Sequence, residues 1–179
     1  MPRLRTGDTR ARIQQVALEL FAERGVKQTS LRDIAERLGV TKPALYYHFA
    51  SREDLLSSLV QPMVDDFEAY AAEQEAAAPV EPRELLASYF DLAHKHRGLI
   101  QLAIRDLAVL QELKLAARFI EWRQRVTELL IGPSPSLADQ VRGMVALGGL
   151  SDCAVMFDGV PIDELRSVAV EAAYDSLGR

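Results

Sequence analysis

Thr41, Lys42, Tyr46, Tyr47 and His48 place a hydroxyl, an ammonium, two phenols and an imidazole within eight residues. The set is rich in hydrogen-bonding groups suited to recognition. An ammonium and phenols bond phosphate oxygens, and the same groups reach base edges. A major groove admits one helix, which must keep its polar groups on one face and pack with the other. Ala44, Leu45 and Phe49 are the residues of this stretch suited to packing.

The neighbouring sequence supplies the elements such a helix needs. Ile13, Val16, Ala17, Leu20 and Phe21 recur at three- and four-residue spacing and predict a first helix over Thr9–Arg24, closed by Gly25. Ser30 and Asp33 have the spacing of a capping box, and Leu31, Ile34, Ala35 and Leu38 follow as a short second helix stopped by Gly39. Thr41 caps a third helix running to Phe49, with Pro43 in its first turn. Two short helices joined through Gly39, the second opening on polar residues, read as a helix-turn-helix.

Charge supports the same reading. The chain of 179 residues carries a net charge of -5. Residues 1–50 nevertheless hold nine Lys and Arg against five Asp and Glu, a net of +4, and the remainder twelve against twenty-one, a net of -9. A basic head on an acidic body turns the head toward a polyanion. Arg3, Arg5, Arg10 and Arg12 form a basic arm suited to a minor groove or to the DNA backbone. The lone Cys153 excludes an internal disulfide. No apolar run approaches the roughly 20 residues of a membrane span. The polar, basic start has no apolar core after it, so the expected location is the cytoplasm, with no membrane partner.

The stretch LRDIAERLGVTKPALYYHFASREDLL, within residues 9–59, closely resembles the DNA-binding domain of the tetracycline-repressor (TetR/AcrR) family. The resemblance covers about the first third of the chain. It implies an all-α protein of about nine helices: a three-helix head, a connecting fourth helix, and a body whose last two helices form a homodimer as a four-helix bundle. It implies a regulator of transcription on pseudo-palindromic double-stranded operator DNA, most often a repressor released by a small-molecule effector. By position, Thr41, Lys42, Ala44, Tyr46, Tyr47 and His48 match the groove-facing helix and its cap. Arg32 matches a place that often reaches a base edge, although it stands beside Asp33 and can also balance it. Thr29, Ser30 and Arg52 match phosphate-contacting places. Ala44 replaces a hydroxyl found in other members, which leaves a thymine methyl as its only base contact.

The head is taken as residues 1–51 and the body as 52–179. A fourth helix over Arg52–Ala77 is expected, kinked near Ser58–Pro62 because Pro62 removes a helical hydrogen bond. Such a kink would offer a place for the body to change the spacing of two heads. Further helices are read at Leu85–Ala93, Leu99–Leu107 and Leu115–Leu130. The penultimate runs over Leu137–Phe157 and the last over Ile162–Leu177.

Met63, Phe67, Tyr70, Tyr89, Phe90, His94, Ile104, Phe119, Trp122, Val126 and Met156 are candidate lining for an apolar or amphipathic effector, or simply core. Val141, Met144, Val145, Gly148, Gly149 and Cys153 form a stripe fit for close helix approach across a two-fold axis, or mark a local bend. His94 and His96 are two apart and point apart on a helix, so neither a metal nor another cofactor is expected. No G-x-x-x-x-G-K, G-x-S-x-G or H-E-x-x-H occurs, which argues against an enzyme.

Overall fold

The computed structural model describes residues 6–105, 115–157 and 159–178; the side chains of residues 6–8 and 116 lie outside that description, as do Arg3, Arg5 and Leu107. The described residues form nine helices and no strand. They are α1 (Thr6–Arg24), α2 (Leu31–Leu38), α3 (Lys42–His48), α4 (Arg52–Ala77), α5 (Pro82–Lys95), α6 (Arg97–Arg105), α7 (Leu115–Ile131), α8 (Leu137–Met156) and α9 (Ile162–Ser176). The all-α class and most boundaries follow the pattern of apolar residues and caps.

Two compact units divide the chain. One runs to Met63 and takes it up again at Leu102, and the other holds Val64–Gln101 and the described residues from Leu115 onward. The first unit therefore continues beyond residue 51. Its reason is local: the opening turns of α4 send Leu55 and Leu56 into the same buried cluster as Ile13, Leu20, Phe21, Ile34, Leu45 and Phe49. Gln14 Nε2 adds a hydrogen bond to Ser58 Oγ at 3.0 Å, tying α1 to α4.

The caps are those the sequence spells out. Ser30 Oγ accepts from the Asp33 amide while the Asp33 carboxylate accepts from the Ser30 amide at 2.8 Å. Gly39 ends α2 at φ 67°, a left-handed conformation that a side chain would strain. Thr41 caps α3 by accepting from the Ala44 amide. At α4 the pattern shifts by one residue: Ser51 Oγ accepts from the Asp54 amide, but the Asp54 carboxylate takes the Ala50 amide instead. Pro62 sits inside α4, whose helical assignment runs on unbroken to Ala77.

In the second unit α5 packs on α8 and α9. Leu85, Leu86, Phe90 and Ala93 meet a core that includes Leu147, Leu150, Ala154, Leu165 and Ala169. Ser136 and Asp139 make a capping box that starts α8. Gly143 sets the approach of α8 to α7, because a Cβ there would lie 2.7 Å from Thr127 Cγ2.

Candidate nucleic-acid interface and body cluster

On the seven-residue α3 Leu45 is fully buried, as is the C-cap Phe49, while Tyr46 and Tyr47 are 54% and 79% exposed. Thr41, Lys42 and Ala44 are exposed as well, and His48 is half-buried. Ala44 thus sits on the outward face rather than the packing face. The Tyr47 ring meets the His48 ring edge-on at 5.3 Å, so the two side chains brace each other. A helix this short is not stable alone; its cap, the turn through Gly39 and two buried anchors hold it.

Beside α3, a groove of about 450 Å³ lies between the starts of α2, α3 and α4. Its rim carries Lys27, Arg32, Lys42 and Arg52. Ser30 and Ser51 mark two helix N-termini there, whose amide dipoles add to the attraction for an anion.

Three of the expected contact residues have partners within the chain. Thr29 does not present its hydroxyl to a phosphate: the residue is 1% exposed and the hydroxyl donates to the Gly25 carbonyl at 2.9 Å, with Leu20 O at 3.3 Å. It is a buried fastener between α1 and α2. Arg52 is half-buried, and its guanidinium donates to the Val26 carbonyl at 3.2 Å and to Glu53 at 3.0 Å, so part of its donor capacity holds the turn after α1. Arg32 gives its hydrogen bond not to Asp33, whose carboxylate is committed to the cap, but to Glu36, with Nε donating at 2.7 Å. That pairing raises the Arg32 pKa, and the two hydrogen bonds from Ser30 lower that of Asp33. Glu36 was absent from the sequence-derived set, although its position four residues after Arg32 on a helix was the signal for it.

In the second unit Phe67 gathers the aromatics. It stacks on Trp122 at 5.2 Å, and meets Phe119 at 6.1 Å and Tyr89 at 6.3 Å nearly edge-on. Tyr70 joins through Tyr89. Trp122 Nε1–H donates to Glu68 at 2.8 Å, and Tyr70 donates to the Leu85 carbonyl at 2.9 Å. Burial pushes both the Tyr70 and Tyr89 phenols well above their usual pKa, so both stay neutral. Phe90 and Val126 are buried in the same unit, and Met63 is buried at the end of the first.

His94 has both ring nitrogens occupied: Nδ1 faces the Ala154 carbonyl at 3.0 Å and Nε2 accepts from Arg97 at 3.2 Å, which fixes the Nδ1–H tautomer. His96 turns to Asp66 at 2.7 Å. No group of three His, Cys, Asp or Glu suited to a metal occurs among the described residues. Ile104 and Met156 do not belong with the buried aromatics. They are 53% and 62% exposed, and Met156 falls on the outward face of α8.

That face is largely apolar, with the exposed Asp152 the charged residue in its midst. Leu137, Val141, Met144, Val145 and Met156 are each more than half exposed, with Gly149 exposed and Gly148 and Cys153 half-buried between them. On α9, Val168 is 66% exposed, a position the sequence reading did not single out. No helix of the described residues is long and apolar enough to cross a membrane.

Residues 13–59 match the family profile described as bacterial regulatory proteins, tetR family. Among curated relatives, the HTH-type transcriptional regulator AcrR of Shigella flexneri is 38% identical over 79 residues, 44% of this chain and 37% of that protein. The fatty acid metabolism regulator protein of Bacillus subtilis is 30% identical over 120 residues, 67% of this chain and 59% of that one. The chain thus spans less than two thirds of the length of these relatives. In fold, the structure of the ketosteroid transcriptional regulator KstR2 of Mycobacterium tuberculosis superposes with a TM-score of 0.73 at 20% identity, over 98% of this chain and 95% of that one.

Proposed function

We propose, for a chain whose N-terminal head belongs to the tetR family of bacterial regulatory proteins, that it is a sequence-specific DNA-binding regulator of transcription. It acts as a homodimeric repressor that a small apolar or amphipathic effector releases from its operator. The observation that carries the reading is the two-faced α3: Leu45 and Phe49 are fully buried while Tyr46 and Tyr47 stand more than half exposed. Exposed phenols beside Lys42 and His48 suit phosphate and base edges. The groove flanked by Lys27, Arg32, Lys42 and Arg52 suits the adjoining backbone.

Dimerisation is supported by α8. Glycine inside a helix costs about 1 kcal/mol against alanine. At Gly148 and at Gly149 an added Cβ would meet nothing within 4 Å, so nothing among the described residues requires either glycine. A partner helix approaching the apolar stripe would. Two copies of α3 related by a two-fold axis then read two half-sites about one helical turn apart. The effector reading rests on the Phe67–Trp122 aromatic group, and the names of two similar proteins, tied to ketosteroids and to fatty acid metabolism, point the same way.

A gel shift tests the core of this. The purified chain is titrated onto a labelled duplex from the DNA flanking its own gene, with unrelated duplex as competitor. Retention of the complex against a large excess of competitor is expected; equal displacement by unrelated and identical duplex would overturn sequence-specific regulation.

A further inference from the structure

Arg10 belongs by sequence to a basic arm, and a cation there reads naturally as a phosphate contact. Its guanidinium is engaged elsewhere. Arg10 Nη1 donates to the backbone carbonyl of His48 at 3.0 Å, and its central carbon stands 4.3 Å from the centre of the Phe49 ring. His48 is the last residue of α3, and Phe49 is its C-cap and fully buried anchor. A cation from the second turn of α1 thus sits on the last carbonyl of α3, that of His48, where the helix dipole favours positive charge, and on the face of the aromatic ring that ends the helix.

Resting on the reading of α3 as a DNA reader, we propose that Arg10 is a positioning residue for sequence readout. It clamps the C-terminal turn of α3 and so fixes where Tyr47 and His48 stand against the groove. It touches no DNA itself. The N-terminal end of α3 is held by the Thr41 cap and the turn through Gly39, and its middle by Leu45. Without Arg10 the last turn, which carries Tyr47 and His48, keeps the buried Phe49 and the Ala50 amide bonded to Asp54 but loses its link to α1. Base readout needs fixed side chains, whereas attraction to phosphates needs only charge. The clamp therefore affects specific binding far more than non-specific binding.

The test uses the whole chain and two duplexes: one selected by the wild-type protein from a randomised pool, and one of unrelated sequence. Arg10→Ala is expected to weaken binding to the selected duplex about fivefold to tenfold, from the combined loss of a helix-end cation and a cation–π contact. Binding to the unrelated duplex should change less than about twofold, and the slope of log affinity against log salt should stay as in wild type, because no phosphate contact is lost. Arg10→Gln, which keeps a donor without the charge, is expected to fall between the two and serves in its place if the alanine variant does not fold. A slope lower by about 0.9 would overturn the proposal in favour of direct phosphate contact. An unchanged ratio between the two duplexes would overturn it as well. If the wild-type protein enriches no sequence from the pool, the DNA reading itself fails, and that outcome is distinct from the other two.

Discussion

Thr29 and Lys42 show what a residue type alone decides and what it leaves open. Both are polar residues in a basic head, and both read as DNA contacts. Lys42 stands at the exposed start of α3, whereas Thr29 is buried with its hydroxyl spent on the Gly25 and Leu20 carbonyls. Removal should separate them. Thr29→Val leaves those carbonyls without their buried donor and should cost about 1–2 kcal/mol in a denaturant titration, with DNA affinity unchanged in the folded fraction. Lys42→Ala should leave stability unchanged and lower the salt slope of DNA binding by about 0.9. The sequence could not tell the two apart because a β-branched hydroxyl suits a buried turn and a surface equally. By contrast the Arg32–Glu36 pair was legible in its spacing. In the body, Trp122 is the only tryptophan and reports on Glu68, which accepts its indole N–H. That bond, then the Arg125 guanidinium, holds Glu68 below the ordinary carboxylate value of 4.5. A group lowered on folding keeps its contribution above the unfolded value and loses it as pH falls through the folded one. Trp122 fluorescence should therefore hold steady down to about pH 4.5 and change below it, and Glu68→Gln should abolish that step.

At the scale of elements, periodicity and caps carried almost the whole fold. The boundaries of α4 were readable from Ser51, Arg52 and the prolines after Ala77, and those of α8 from Leu137 onward. Two things were not readable. The first is that the opening turns of α4 belong to the head's core, since Leu55 and Leu56 fit a body stripe equally well. The second is the division of labour among the α8 glycines, because a glycine's spacing does not say which neighbour it admits. A Cβ added at Gly143 would lie 2.7 Å from Thr127 Cγ2, whereas one at Gly148 or Gly149 would meet open space. Gly143→Ala should destabilise the folded chain by about 1–3 kcal/mol in a denaturant titration. Gly148→Ala should stabilise an isolated helix by about 1 kcal/mol yet shift the protein toward monomer in sedimentation equilibrium. Unchanged dimerisation there would remove the main support for α8 as the contact between copies.

The whole molecule joins three features that no single element shows: a basic head with an exposed polar face on α3, a largely apolar stripe on α8, and a buried aromatic group in the body. The first was plain in residues 31–49 because that pattern of apolar anchors, cap and turn has few other uses. The effector site was the least legible, since buried aromatics such as Phe67 and Tyr89 have the same spacing whether they line a cavity or fill a core. Ile104 and Met156 share that apolar type yet stand exposed. The central claim is that α3 is offered outward in pairs to one face of a duplex. Hydroxyl-radical footprinting of a duplex selected by the protein tests it most directly. Two protected windows related by two-fold symmetry are expected, centred about 34–36 Å apart, both lost when Tyr46 and Tyr47 are replaced by alanine. A single window, or even protection of every duplex regardless of sequence, would contradict it.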